Sequence, residues 1–216
     1  MKTVLVTGGT VRLGKAIAER LRAEGWRVIT SSHRADAGAD IVADLAEPRS
    51  AAKLYAATLQ LLGGNPPDAL VNNAALFTGD AATLQAVNLE APKKLTTLMA
   101  GRETGVGAIV NILDTKALDA SRCLLTPIDA YLAAKRELAA FTRASAATFA
   151  ATLRVNGVAP GPVMAPTDVH VKAGEMLLDR RPTADDVAAA VSYLLGAESV
   201  TGAIIPVDAG QHLLEA

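Results

Sequence analysis

Thr7-Gly8-Gly9-Thr10-Val11-Arg12-Leu13-Gly14 comes directly after a short apolar run, Lys2 to Thr7, and leads into a stretch from Leu13 to Glu24 that reads as a helix closed by Gly25. A buried strand, a glycine-rich turn and a helix in that order make the phosphate-binding end of a doubly wound α/β fold. Glycines let the backbone turn tightly and approach a pyrophosphate, and the helix N-terminus presents unpaired N–H groups and the positive end of its dipole. Gly8, Thr10, Arg12, Leu13 and Gly14 are therefore the expected phosphate-side contacts of a dinucleotide. The glycine pattern alone also fits a plain strand-to-helix turn, so its meaning depends on what surrounds it.

The rest of the chain keeps the same alternation. Trp26 to Ser31, Ile41 to Ala43, Ala69 to Val71, Ala108 to Leu113, Arg154 to Val158 and Ala203 to Val207 read as strands. Helical stretches fall between them at Pro48 to Leu62, Thr83 to Met99, Ala130 to Ala150 and Thr183 to Leu195. Such regular alternation predicts a Rossmann-type parallel sheet with helices on both faces. Half of the 216 residues are apolar, which suits one domain over residues 1–216 and is short for two. The irregular stretch Pro160 to Pro182 comes after a strand, where open parallel sheets place their ligand crevice.

The formal charge is −1 with the basic residues dispersed, which argues against a nucleic-acid or anionic-membrane partner and for a small-molecule substrate. The lone Cys123 permits no internal disulfide, and no His or Cys cluster predicts a metal site. The opening run is too short for a signal peptide and no apolar stretch reaches membrane-spanning length, so a cytoplasmic location is expected.

Ser31-Ser32-His33-Arg34 stands where an enzyme using NAD carries an acidic residue for the ribose 2′-hydroxyl. His33 and Arg34 would instead attract a 2′-phosphate, which favours NADPH/NADP over NADH. Arg12, in a turn position often held by glycine, can reach a phosphate or the anionic edge of a ligand. Asp44 is placed to meet an adenine amino group, with helix capping as its alternative, and Leu45 lies beside it.

Tyr131 and Lys135 are one helical turn apart on one face. A nearby cation stabilises a phenolate and lowers the tyrosine pKa, as a proton donor to a carbonyl or imine requires. With the glycine-rich turn, Asn72-Asn73-Ala74-Ala75, Asn88 and the run from Arg154 to Pro162 in the same order, the chain resembles the short-chain dehydrogenase/reductase family from end to end. That resemblance implies a sheet of about seven strands and a homodimer or homotetramer. It makes Tyr131 the proton donor and Lys135 its partner on the nicotinamide ribose, with Asn88 as the anchor of a relay water. It also assigns Asn73, Ala74 and Ala75, and Pro160, Gly161 and Val163, to the cofactor.

Within the family the details look most like pteridine reductases and dihydromonapterin reductases. Those enzymes carry an arginine in the glycine-rich turn, a basic pair like His33-Arg34, and an aspartate where most relatives have the catalytic serine; here Asp114 supplies it. Phe77 falls where they stack an aromatic ring on the pterin, with a core role as the alternative. Arg12, Phe77, Asp114 and Tyr131 are thus the expected substrate contacts. Asp114 lies a few residues farther from Tyr131 than the family's serine does, so Asp119 and Ser121 are rival candidates. Ala75 and Leu76 replace hydroxyl-bearing residues, and the Pro160 to Pro182 segment is short for a substrate lid. The expected activity is reduction of a C=N or C=O bond of a pterin. The alternatives are a carbonyl or quinone reductase and a non-catalytic NADPH-binding sensor.

Overall fold

The computed structural model of the chain describes residues 1–103, 105–118, 129–163 and 176–214. Its strands are β1 (Thr3–Thr7), β2 (Arg27–Ser32), β3 (Ile41–Val42), β4 (Ala69–Asn72), β5 (Gly107–Ile112), β6 (Leu153–Pro160) and β7 (Ile204–Val207). The helices are α1 (Arg12–Ala23), α2 (Ser50–Leu61), α3 (Ala81–Gln85), α4 (Ala91–Ala100), α5 (Asp129–Thr148) and α6 (Ala184–Gly196). All the strand pairs are parallel, in a seven-stranded sheet ordered β3-β2-β1-β4-β5-β6-β7. The strand order reverses between β1 and β4, and the crevice opens at the carboxyl ends of these two strands, as the fold dictates.

Two-residue periodicity along the strands feeds both faces. Val4 and Val6 point to one side, where Val71 and Val110 join them under Ile17, Ala18 and Leu21 of α1 and Val187, Val191 and Leu194 of α6. Leu5 points to the other, with Ile29, Leu70 and Ile109, against Leu54 and Tyr55 of α2 and Leu95 and Met99 of α4. Side chains of this size contribute roughly 1.5–3 kcal/mol each when fully buried. A sheet buried on both faces explains why its strands read as nearly unbroken apolar runs.

Two differences from the sequence expectation have local causes. The stretch expected as one helix from Thr83 to Met99 is divided: α3 and α4 are joined by a π-helical turn, Ala86–Glu90. Pro92 has no N–H to return to the Asn88 carbonyl in the α-helical pattern, and the helix widens just before it. The second difference concerns Asp44. It does not cap α2, which starts at Ser50 after Arg49 in the left-handed region (φ 64°). Its Oδ1 accepts from the Ala46 N–H at 3.0 Å, forming a local turn. Among the described residues no helix is long and apolar enough to cross a membrane.

Candidate active site

The turn between β1 and α1 is shaped to hold an anion. Gly8 has φ 63°, and a Cβ on Gly14 would lie 2.0 Å from the Gly8 carbonyl oxygen, so no larger residue fits there. Arg12 itself has φ 48°, the left-handed conformation that makes glycine common at such a position. The N-cap of α1, Val11, provides no side-chain acceptor for the first-turn N–H groups. Thr10 Oγ1 is buried and has no partner among the described residues. An orphaned hydroxyl, uncapped amides and a backbone cradle that a Cβ would fill are the features a pyrophosphate satisfies, so the residues present fit the expected dinucleotide.

The β4 end closes the cradle from the other side. Asn73 Nδ2 donates to the carbonyls of Thr7 (2.9 Å) and Gly8 (3.1 Å). Thr7 Oγ1 in turn accepts from the backbone N–H groups of Asn73 and Ala74, each at 3.0 Å. Asn73 thus shapes the turn through its side chain while lining the cleft. Neither the Thr7 hydroxyl nor these carbonyl acceptors stand out in the sequence, because their roles depend on β1 and β4 being neighbours in the sheet.

Across the cleft, β5 and α5 assemble the titratable groups. Tyr131 Oη donates to Asp114 Oδ2 at 3.2 Å, and Asp114 Oδ1 accepts from the Lys116 N–H at 2.9 Å, which fixes the carboxylate. Lys135, 2% exposed, donates from Nζ to the Ile112 carbonyl at 2.8 Å and sits 5.8 Å from the centre of the Tyr131 ring. Burial lowers its pKa to about 8, while the Asp114 charge pulls it upward. Burial raises the Asp114 pKa against the opposing effects of the Lys116 N–H, Tyr131 and Lys135.

Tyr131 departs from the expectation. The lysine is expected to lower its pKa, yet the phenol is raised well above its ordinary value. Burial is the main cause, and the Asp114 carboxylate, which accepts the phenol's hydrogen bond, adds to it. Tyr131 is therefore held as a neutral acid with its proton in place.

Phe77 is 56% exposed and its ring lies 4.9 Å from that of Tyr131, tilted by 56°. The core alternative for Phe77 is set aside by that exposure. Asn88 is fully buried; its Nδ2 donates to the carbonyls of Leu76 (2.8 Å) and Leu84 (3.0 Å), and its Oδ1 accepts from the Leu76 N–H at 3.3 Å. Its amide is thus engaged with protein, so the expected anchoring of a water does not fall to the side chain.

One cleft of about 830 Å³ brings together Gly8, Thr10, Arg12, Leu13, Gly14, His33, Arg34, Asp44, Leu45, Asn73, Ala74, Ala75, Phe77, Asp114, Tyr131, Lys135, Pro160, Gly161 and Val163. Of the expected residues, only Asn88 stands behind its wall. Ser31, Ser32, Leu76, Thr83 and Val87 line it as well. The rival candidates Asp119 and Ser121, and Cys123, lie outside the described residues, as do 164–175 of the Pro160 to Pro182 segment.

The family model described as enoyl-(acyl carrier protein) reductase matches residues 11–212. Protein FixR of Bradyrhizobium diazoefficiens is 31% identical over 98% of this chain and 87% of its own length. Pteridine reductase 1 of Leishmania tarentolae is 30% identical over 98% of this chain and 96% of its own. The solved structure of FolM alternative dihydrofolate reductase 1 from Brucella canis, complexed with NADP, aligns with a TM-score of 0.84 and 32% identity. That alignment covers 98% of this chain and 94% of the other.

Proposed function

The chain belongs to the short-chain dehydrogenase/reductase family, and from that premise we propose that it is a single-domain, NADPH-dependent reductase of a C=N or C=O bond in a pterin-like substrate. The observation that carries the reading is the hydrogen bond from Tyr131 to Asp114, 3.2 Å long, in a cleft whose far end is built for a dinucleotide. The similarity to a pteridine reductase and to a FolM dihydrofolate reductase complexed with NADP supports the substrate class and the cofactor.

NADPH bound in the cleft supplies the hydride. Tyr131, neutral because it is buried beside a carboxylate, holds the balancing proton at Oη for the substrate nitrogen or oxygen. Once Tyr131 has given up its proton, Asp114, with its pKa raised, is the group that takes a proton from water in the open cleft and passes it to the phenol oxygen through the bond they share. Lys135 places a positive charge under the ring and keeps a phenolate from accumulating without compensation. Phe77 offers an exposed aromatic face beside Tyr131 on which a flat heterocycle can stack. Asn88 takes part through its backbone carbonyl, which Pro92 leaves without an α-helical donor, as the anchor of a relay water.

A carbonyl or quinone reductase is the second reading, favoured by Ala75 and Leu76, which put apolar surface on the cleft wall nearest Phe77. The proposed enzyme is cytoplasmic and forms a homodimer or homotetramer, a state supported by β7, an edge strand whose residues are all partly exposed. The test measures NADPH oxidation with dihydrobiopterin, dihydromonapterin, a quinone and a simple ketone. Turnover confined to the pterins is the expected result. Turnover of quinone or ketone alone establishes the second reading, and NADPH binding without turnover of any of them leaves the cofactor site standing and overturns the pterin assignment.

A further inference from the structure

Arg34 lies at the adenosine end of the cleft read above as an NADPH site, and its guanidinium is not open: Nε donates to Asp36 Oδ1 at 3.0 Å and Nη2 to Asp36 Oδ2 at 2.8 Å. Resting on that reading of the cleft, we propose that Asp36 is a specificity-determining residue that competes with the cofactor's 2′-phosphate for Arg34, narrowing the preference for NADPH over NADH that Arg34 alone would give.

A guanidinium carries its N–H donors in a fixed planar fork, and the edge formed by Nε and Nη2 pairs bidentately with carboxylate or phosphate. Asp36 occupies that edge with both oxygens. The local backbone keeps it there. Arg34 and Asp36 are joined through a single 3-10 turn, Ala35–Ala37, which ends at Gly38 with φ 64°. The Ala37 N–H closes the turn on the Arg34 carbonyl at 3.3 Å, and the Arg34 N–H donates to Ser32 Oγ at 3.1 Å. Arg34 holds the Asp36 carboxyl below its ordinary range, with His33 adding to the effect, so the competitor is ionised at neutral pH.

Two arrangements are open to a 2′-phosphate, and both lower its affinity. If it takes the Nε–Nη2 edge, it must displace Asp36. If it meets the opposite edge, the carboxylate stays across the guanidinium and repels it. The pair is exposed, 60% at Arg34 and 71% at Asp36, so it is weak enough to yield to a doubly charged group. NADH carries an uncharged hydroxyl in place of the phosphate and is indifferent to the exchange.

The measurement is the Kd for NADPH and for NADH, by cofactor fluorescence titration, in the wild-type protein, Asp36→Asn, Arg34→Ala and the double variant. Asp36→Asn is expected to tighten NADPH about three- to fivefold, the worth of an exposed ion pair, with NADH unchanged. The gain should be smaller when Arg34 is already absent. Weaker NADPH binding by Asp36→Asn would show that the carboxylate positions Arg34 for the phosphate, and overturns the proposal. An unchanged Kd, or equal shifts for both cofactors, also overturns it. If Arg34→Ala alters neither cofactor, the 2′-phosphate assignment itself falls and takes the competition with it, an outcome that the single Arg34 variant identifies on its own.

Discussion

The Asp114, Tyr131 and Lys135 groups are each shifted away from the behaviour they show in water, and the directions fit one division of labour. Tyr131 keeps its proton, Asp114 takes one up more readily than an exposed carboxyl, and Lys135 sits close to losing its charge. Tyr131→Phe should abolish turnover while leaving the NADPH Kd within a few-fold, because the hydroxyl serves proton transfer and the ring remains to pack. Loss of cofactor binding in that variant would contradict the role. The pH profile is set by Lys135: kcat should fall as pH rises through about 8, where the ammonium deprotonates. The Asp114 charge raises the Lys135 pKa, so in Asp114→Ser the same fall should move to lower pH. A falling limb in the same place in both proteins would separate Lys135 from the carboxylate.

At the scale of elements, the sequence announces what depends on near neighbours in the chain. The β1 turn, the Tyr131–Lys135 spacing and the positions of the strands are visible because each is set by local pattern: glycine where φ is positive, one helical turn between two side chains, apolar runs under a double layer of helices. Asp114 can be named, but its pairing with Tyr131 depends on how β5 and α5 pack. The shift of Tyr131 escapes a local reading for the same reason, since its sign is decided by burial and by a carboxylate 17 positions away, which outweigh the lysine on its own helix. The π-helical turn at Ala86–Glu90 is hidden by the helical pattern on either side of it, although Pro92 is its visible cause. Pro92→Ala tests that turn as an element. Restoring an N–H should let α3 and α4 run on as one α-helix and occupy the Asn88 carbonyl. The melting temperature should hold or rise, while kcat falls by up to about tenfold, roughly 1.4 kcal/mol of transition-state stabilisation. Unchanged kcat with a regularised helix would detach the Asn88 carbonyl from catalysis.

Across the whole molecule, the cleft is where the two halves of the sheet meet. The turn expected to hold phosphate comes from β1 and α1, its closing clasp from β4, and the titrating groups from β5 and α5, so a ligand spanning the cleft would touch both halves of the sheet at once. Binding at that seam must therefore stabilise the fold as a unit. At a concentration a hundred times its Kd, a ligand that binds only the folded state adds about 2.7 kcal/mol. For a domain of this size each kcal/mol is worth about 2–4 °C in melting temperature, so NADPH should raise it by roughly 5–10 °C. NADH at the same concentration should raise it less, because His33 and Arg34 find no phosphate to meet. Arg34→Ala should reduce the NADPH shift and leave the NADH shift in place. Equal shifts from both cofactors in the wild-type protein would mean that the β2 end of the cleft takes no part in choosing between them.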